Sequence, residues 1–263
     1  MPASAFSNIA AKAGNKCIKG TPPAAAPLMQ ALNAKHTSRV QMELITLKRF
    51  RKIVPGVTFI LFAIPLYIYI TGNFLELDET LKMITGTGAT VIAYIIGSVF
   101  SSLKFRGLIN NEGHTRITNN IRSRLVDEGL TTQEEEETIK KLKSSKKLMN
   151  IFYNFIDNDP SLKEKSKLVR DNGLMWTSTA DVALIGYLFS AIYFSLYFFL
   201  EYAPILYISG TIIIIITLLS HMLIHPRTVK EHIRLGNDQI DFITTNHKKE
   251  LQKRIAELVN DFK

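Results

Sequence analysis

Two histidines, His221 and His225, stand four residues apart inside a long apolar stretch, a spacing that puts both imidazoles on one helix face as a metal pair would need. No cysteine or carboxylate lies near them in sequence, so the simpler reading is a pair of polar residues at a membrane interface. Asp157, Asn158 and Asp159 offer oxygen donors for a divalent cation, yet they precede Pro160-Ser161, where a turn and a helix cap use the same residue types. Five lysines in eight residues, Lys140, Lys141, Lys143, Lys146 and Lys147, form the densest cationic stretch. They suit an anionic ligand, or else a solvated helix face that balances Glu134 to Glu137 one turn earlier. A further pattern has Ala89, Ala93, Gly97 and Ser101 at four-residue intervals, with Gly86, Thr90 and Ser98 beside them. Small residues so spaced let helix backbones approach closely in lipid, and the hydroxyls could wet a pore. They fit packing against a neighbouring span of the same chain or a helix at an oligomer axis. There is no HExxH, P-loop or GxSxG, and no GxGxxG in a strand-turn-helix setting, so no enzymatic activity and no cofactor are expected.

The elements that must position these groups are apolar runs. From Val182 to Leu200 and from Ala203 to Ile224 there is no charged side chain, and the corner Glu201-Tyr202-Ala203-Pro204 joins the two. At 1.5 Å per residue each run crosses a hydrocarbon layer of about 30 Å. The second holds twelve Ile or Leu residues, worth roughly −4 to −7 kcal/mol of insertion free energy. A matching pair lies at Ile53 to Thr71 and Met83 to Leu103, with Pro65 placed to kink the first. The expected fold is therefore an all-α membrane protein: four transmembrane helices in two hairpins, a small helical cytosolic domain between spans two and three, and a C-terminal cytosolic helix.

The expected divisions are a disordered basic arm at 1–36, an amphipathic juxtamembrane helix at 37–52, hairpins at 53–103 and 181–225, a helical domain at 104–180, and a coiled-coil-like helix at 226–263. Residues 1–42 contain no Asp or Glu, which also fits an organellar transit peptide. The lone Cys17 excludes an internal disulfide. In the middle segment Thr131 with Glu134 and Ser161 with Glu164 offer capping boxes, Gly129 a helix stop, and Asn172-Gly173 a helix end before the third span. The only tryptophan, Trp176, sits where an interfacial anchor belongs. The tail repeats Val229, Ile233, Ile240, Ile243, Leu251, Ile255, Leu258 and Phe262 at near three-four spacing, interrupted at Gly236 and His247. Lys and Arg flank the spans on one side while both hairpin corners are acidic, which orients both termini and the middle segment to the cytoplasm of a plasma (inner) membrane. The net charge of +9 lies outside the spans. No span holds Asp, Glu, Lys or Arg at mid-membrane, which argues against an ion-coupled transporter.

Residues 121–145, with Gly129-Leu130-x-Thr132-x-Glu134-Glu135 between two helices, resemble the hairpin called SHOCT that is appended to many bacterial proteins and linked with self-association. Glu136 stands where that pattern has an aromatic. The layout, with Asp159-Pro160-Ser161-Leu162-Lys163 and Asn172-Gly173-Leu174-Met175-Trp176-Thr177, resembles small multi-pass membrane effectors of bacterial anti-phage systems, some of which are ligand-gated channels. That resemblance implies a homo-oligomeric pore in the lipid bilayer, regulated by a nucleotide, an oligonucleotide or a cytosolic protein. The alternative is a non-conducting scaffold or accessory subunit.

Overall fold

The structure is a computed structural model that describes residues 25–72, 87–103, 105–131, 134–200 and 203–262, with only the backbone of 25–44 and of 87. The basic arm up to residue 24, Cys17, Gly86, Lys104, the acidic loop residues Glu76, Asp78 and Glu79, and the corner residues Glu201 and Tyr202 lie outside them. Among the described residues every regular element is helical: α1 Ala25–Thr71, α2 Thr87–Ser102, α3 Gly107–Gly129, α4 Glu136–Ser144, α5 Lys146–Asn158, α6 Pro160–Phe199, α7 Pro204–Leu218, a π-helical turn Leu219–Ile224, α8 His225–Asn246 and α9 Lys248–Asn260. Among the described residues three stretches are long and apolar enough to cross a membrane: Ile45–Thr71, Pro160–Phe199 and Pro204–Asn246. A fourth is reached if Gly88–Ser102 and Gly107–Gly129, bent by 71°, count as one span.

Several local expectations are corrected. α1 is already helical at Ala25, so the helix enters the arm that was expected to be disordered, and the amphipathic segment and first span form one element. The caps also move. Asp159, not Ser161, caps α6: its carboxylate accepts from the amides of Ser161 (2.8 Å) and Leu162 (3.1 Å), while Pro160 takes the first helical position. Its other oxygen meets His247 Nε2 at 3.0 Å; these contacts, the imidazole first, hold the carboxyl below the usual carboxylate range. The N-cap of α4 is Glu135, with no side-chain cap bond, so the Thr131/Glu134 box is not the cap. Gly173 does not end a helix, because α6 runs through it for 40 residues, about 60 Å at the standard rise.

The long helices carry two separate cores. One is a bundle of α3, α4, α5, the first half of α6, α8 and α9, with Leu125, Leu142, Leu148, Leu162, Ile240, Leu251 and Ile255 fully buried. The tail repeat is thus covered by the chain's own helices rather than left as a coiled-coil seam. Gly129 serves close packing here, since a Cβ on it would collide with Ile255 Cδ1. Arg124 to Asp241 and Asn120 to Asn237, each 2.7 Å, tie α3 to α8 at the rim.

The other core is apolar and aromatic: Ile185, Phe189, Tyr193, Leu206 and Ile213, with Phe59, Phe62 and Leu66 of α1 packed on them. Its outer faces carry exposed Val91, Ile95 and Val99 on α2 and Ile208, Ile212 and Ile215 on α7, a surface suited to lipid. Pro65 removes an amide from α1, and beside it the fully buried Tyr193 enters the backbone ladder. The Leu66 amide donates to the Tyr193 hydroxyl (3.2 Å), and that hydroxyl donates to the Phe62 carbonyl, so the phenol bridges the donor and acceptor of the rung after the proline. Tyr193→Phe is expected to lower the stability of the purified protein by about 1–2 kcal/mol. Faster hydrogen exchange at the Leu66 amide would locate that loss in α1.

Candidate functional site

The inward stripe of α6 is Asn172, Trp176, Thr179, Ala183, Gly186, Ser190 and Tyr193, in alternating steps of four and three. In a soluble bundle such positions hold Leu and Ile. Here they are polar, small or aromatic, and α7, the π turn and α8 answer them with polar groups. Asn172 Nδ2 donates to the Thr228 carbonyl at 2.8 Å and lies 3.3 Å from His232 Nδ1. Thr179 Oγ1 is 3.3 Å from His225 Nδ1, and Ser220 Oγ donates to the Thr179 carbonyl at 3.0 Å. Tyr187, one position off the stripe, brings its hydroxyl to His221 Nδ1 at 2.9 Å. Deeper still, Gly186 makes room for Thr217, whose hydroxyl occupies the place a Cβ would take. The hydroxyls of Thr217 and Ser190, 0% and 2% exposed, have no hydrogen-bond partner.

The π turn is what brings this second helix face into line. Its wider turn changes the helical register over Leu219–Ile224, and Ser220 and His221 both lie within it. The imidazoles of His221 and His225 are 6.4 Å apart but are taken up by hydroxyls. Among the described residues no group of three or more His, Cys, Asp or Glu side chains is placed to hold a metal.

At the mouth of the seam, a collar joins four helices. Arg106, in the bend between α2 and α3, grips Asp181 of α6 through two bonds of 2.7 Å, Nε to Oδ1 and a terminal nitrogen to Oδ2. The same terminal nitrogen reaches the Arg51 carbonyl of α1 at 3.2 Å. Asp181 is 1% exposed. A buried carboxylate so held fixes the bend between α2 and α3 to the middle of α1 and of α6. Next to it Trp176 stacks on His114 at 6.3 Å between ring centroids and meets His232 at 5.7 Å.

The residues singled out in the sequence fall elsewhere. Ala89, Ala93 and Gly97 face α1: a Cβ on Gly97 would strike the Lys52 carbonyl, and one on Gly56 the Ala93 carbonyl. Ser101 Oγ donates to the Gly97 carbonyl at 2.7 Å, the Ser98 hydroxyl is buried without a partner, and Thr90 is exposed. Gly86 lies outside the described residues. Of the five lysines, Lys141 pairs with Glu137 (2.8 Å), Lys143 with Asp127 (3.1 Å) and Lys147 with Asp261 (2.8 Å), while Lys140 and Lys146 are exposed. The basic run is therefore largely a paired surface, and its members face more than one neighbour. The seam and collar were missed because their partners are far apart in the chain, 75 residues in the case of Arg106 and Asp181. The available signal was the polar run on the inner face of an otherwise apolar span. Comparison with known proteins finds no matching family model, no matching curated protein and no matching solved structure.

Proposed function

We propose that this chain is a multi-pass membrane protein of four spans in two hairpins, with both termini and the helical bundle in the cytoplasm, in which the bundle sets the packing of the spans and thereby a regulated ion path. The observation that supports it best is continuity: α6 and the α7–α8 pair each belong to both cores, so a shift in the bundle reaches the apolar helices without a flexible joint. The seam between those helices supplies hydroxyls and imidazoles where lipid-facing spans carry Leu and Ile. A ligand acts on such a device only through unequal affinity for its two packings. The resemblance in layout to anti-phage effectors makes a nucleotide or oligonucleotide the ligand class to try first, and self-association the assembly to look for.

The second reading, a non-conducting scaffold, is favoured by one arrangement. The small-residue face of α2 is spent on α1, and the apolar face of the tail is spent in the bundle. Ion flux through liposomes carrying the purified protein, with and without nucleotides and oligonucleotides, separates the two. Flux that changes with ligand supports the gated path. No flux under any condition, from protein shown to be folded and inserted, leaves the scaffold.

A further inference from the structure

We infer that the surface over Gly173, where Arg51 in the middle of α1 meets the α6–α8 contact, is a binding site for a phosphate group, either of a lipid headgroup or of a soluble phosphate ester. The guanidinium of Arg51 is the central observation. One of its terminal nitrogens lies 3.4 Å from where a Gly173 side chain would begin, and His232 Cε1 lies 3.6 Å from the same point. Two cationic or donor groups from different helices thus converge over a residue of α6 that offers no side chain to separate them. Among the described residues no carboxylate pairs with Arg51. The nearby acid that could neutralise the collar, Asp181, is already held by both arms of Arg106. Lys52 is likewise engaged, its Nζ 3.3 Å from the Tyr94 hydroxyl.

The neutral groups favour an anion as well. The Asn172 amide donates to the Thr228 carbonyl, so the nitrogen facing His232 is a donor and Nδ1 of that ring must accept. The proton of the neutral imidazole then sits on Nε2, available to an acceptor. A guanidinium beside an imidazole donor matches the tetrahedral oxygens of a phosphate. The site is distinct from the lysine run, and it stands whether or not the protein conducts.

Trp176, the only tryptophan in the chain, reports on the site through its contacts with the His114 and His232 imidazoles. The test is Trp176 fluorescence of the full chain in dodecyl maltoside micelles, which carry no phosphate, titrated with inorganic phosphate in one arm and with phosphatidic acid in the other, with chloride as the ionic-strength control. A response to inorganic phosphate identifies a soluble phosphate ester as the source; a response to phosphatidic acid alone identifies a headgroup. In either arm Arg51→Gln is expected to weaken the response about tenfold or more. Gly173→Val, which crowds Arg51 and His232 without removing the charge, is expected to do the same while circular dichroism stays unchanged. Absence of a response in both arms, or a wild-type response from both variants, overturns the site.

Discussion

Arg106→Ala is expected to destabilise the protein by about 3–5 kcal/mol. Among the described residues the guanidinium is the only hydrogen-bond partner of the Asp181 carboxylate, and both of its bonds are 2.7 Å. Taking it away leaves a carboxyl group almost wholly buried without its partner where α1, α2 and α6 meet, there to remain charged at a desolvation cost or to take up a proton. The cost of burying that group, no longer offset, exceeds whatever the intact pair contributed. Two companion variants isolate this cause. Arg106→Met combined with Asp181→Leu removes both charges and is expected to recover most of the stability, because a hydrophobic pair of similar volume carries no buried charge. Arg106→Lys keeps the charge but loses the fork and is expected to fall between. Chemical or thermal unfolding of the purified protein in one detergent measures all three. A double variant no more stable than Arg106→Ala would show that packing, not charge, holds the collar.

Gly97→Leu is expected to cost about 3 kcal/mol or more, at the upper end of overpacking effects, because the obstacle is backbone rather than a side chain that can turn aside. The crossing of α1 and α2 is reciprocal: Gly97 lies on the Lys52 carbonyl and Gly56 lets the Ala93 carbonyl approach. A branched side chain at either glycine forces the helices apart along the whole contact. The expected signature is a lower unfolding midpoint with the same subunit number by native mass spectrometry. A loss of subunits with the midpoint unchanged would place the small-residue face between copies of the chain.

The apolar runs at 53–71, 182–200 and 203–224 are legible because lipid imposes length and charge rules that a local window can read. The same local reading fails at Gly173. The Asn-Gly pair looks like a helix end, but the long helix gains from packing on both sides of it more than a mid-helix glycine costs, roughly 1 kcal/mol. The tail repeat was legible as a helix face seeking cover, and not as to what covers it: Ile255 meets Gly129 from another part of the chain as readily as it would meet a second copy. Tyr193 was invisible as a structural device, since its hydroxyl acts on the backbone of a helix more than a hundred residues earlier. Tertiary pairing of this kind leaves no period in the sequence.

The bundle drawing on both sides of the third and fourth apolar runs also dictates an order of events at the ribosome. Helices α3, α4 and α5 emerge well before α8 and α9, so Leu125, Leu142 and Leu148 have no lid while Val182 to Ile224 are still being made. For that interval the nascent chain displays the inner face of a half-built domain. Chaperone capture, or premature pairing with a neighbouring nascent chain, belongs to that window, and synthesis of Leu251 and Ile255 closes it.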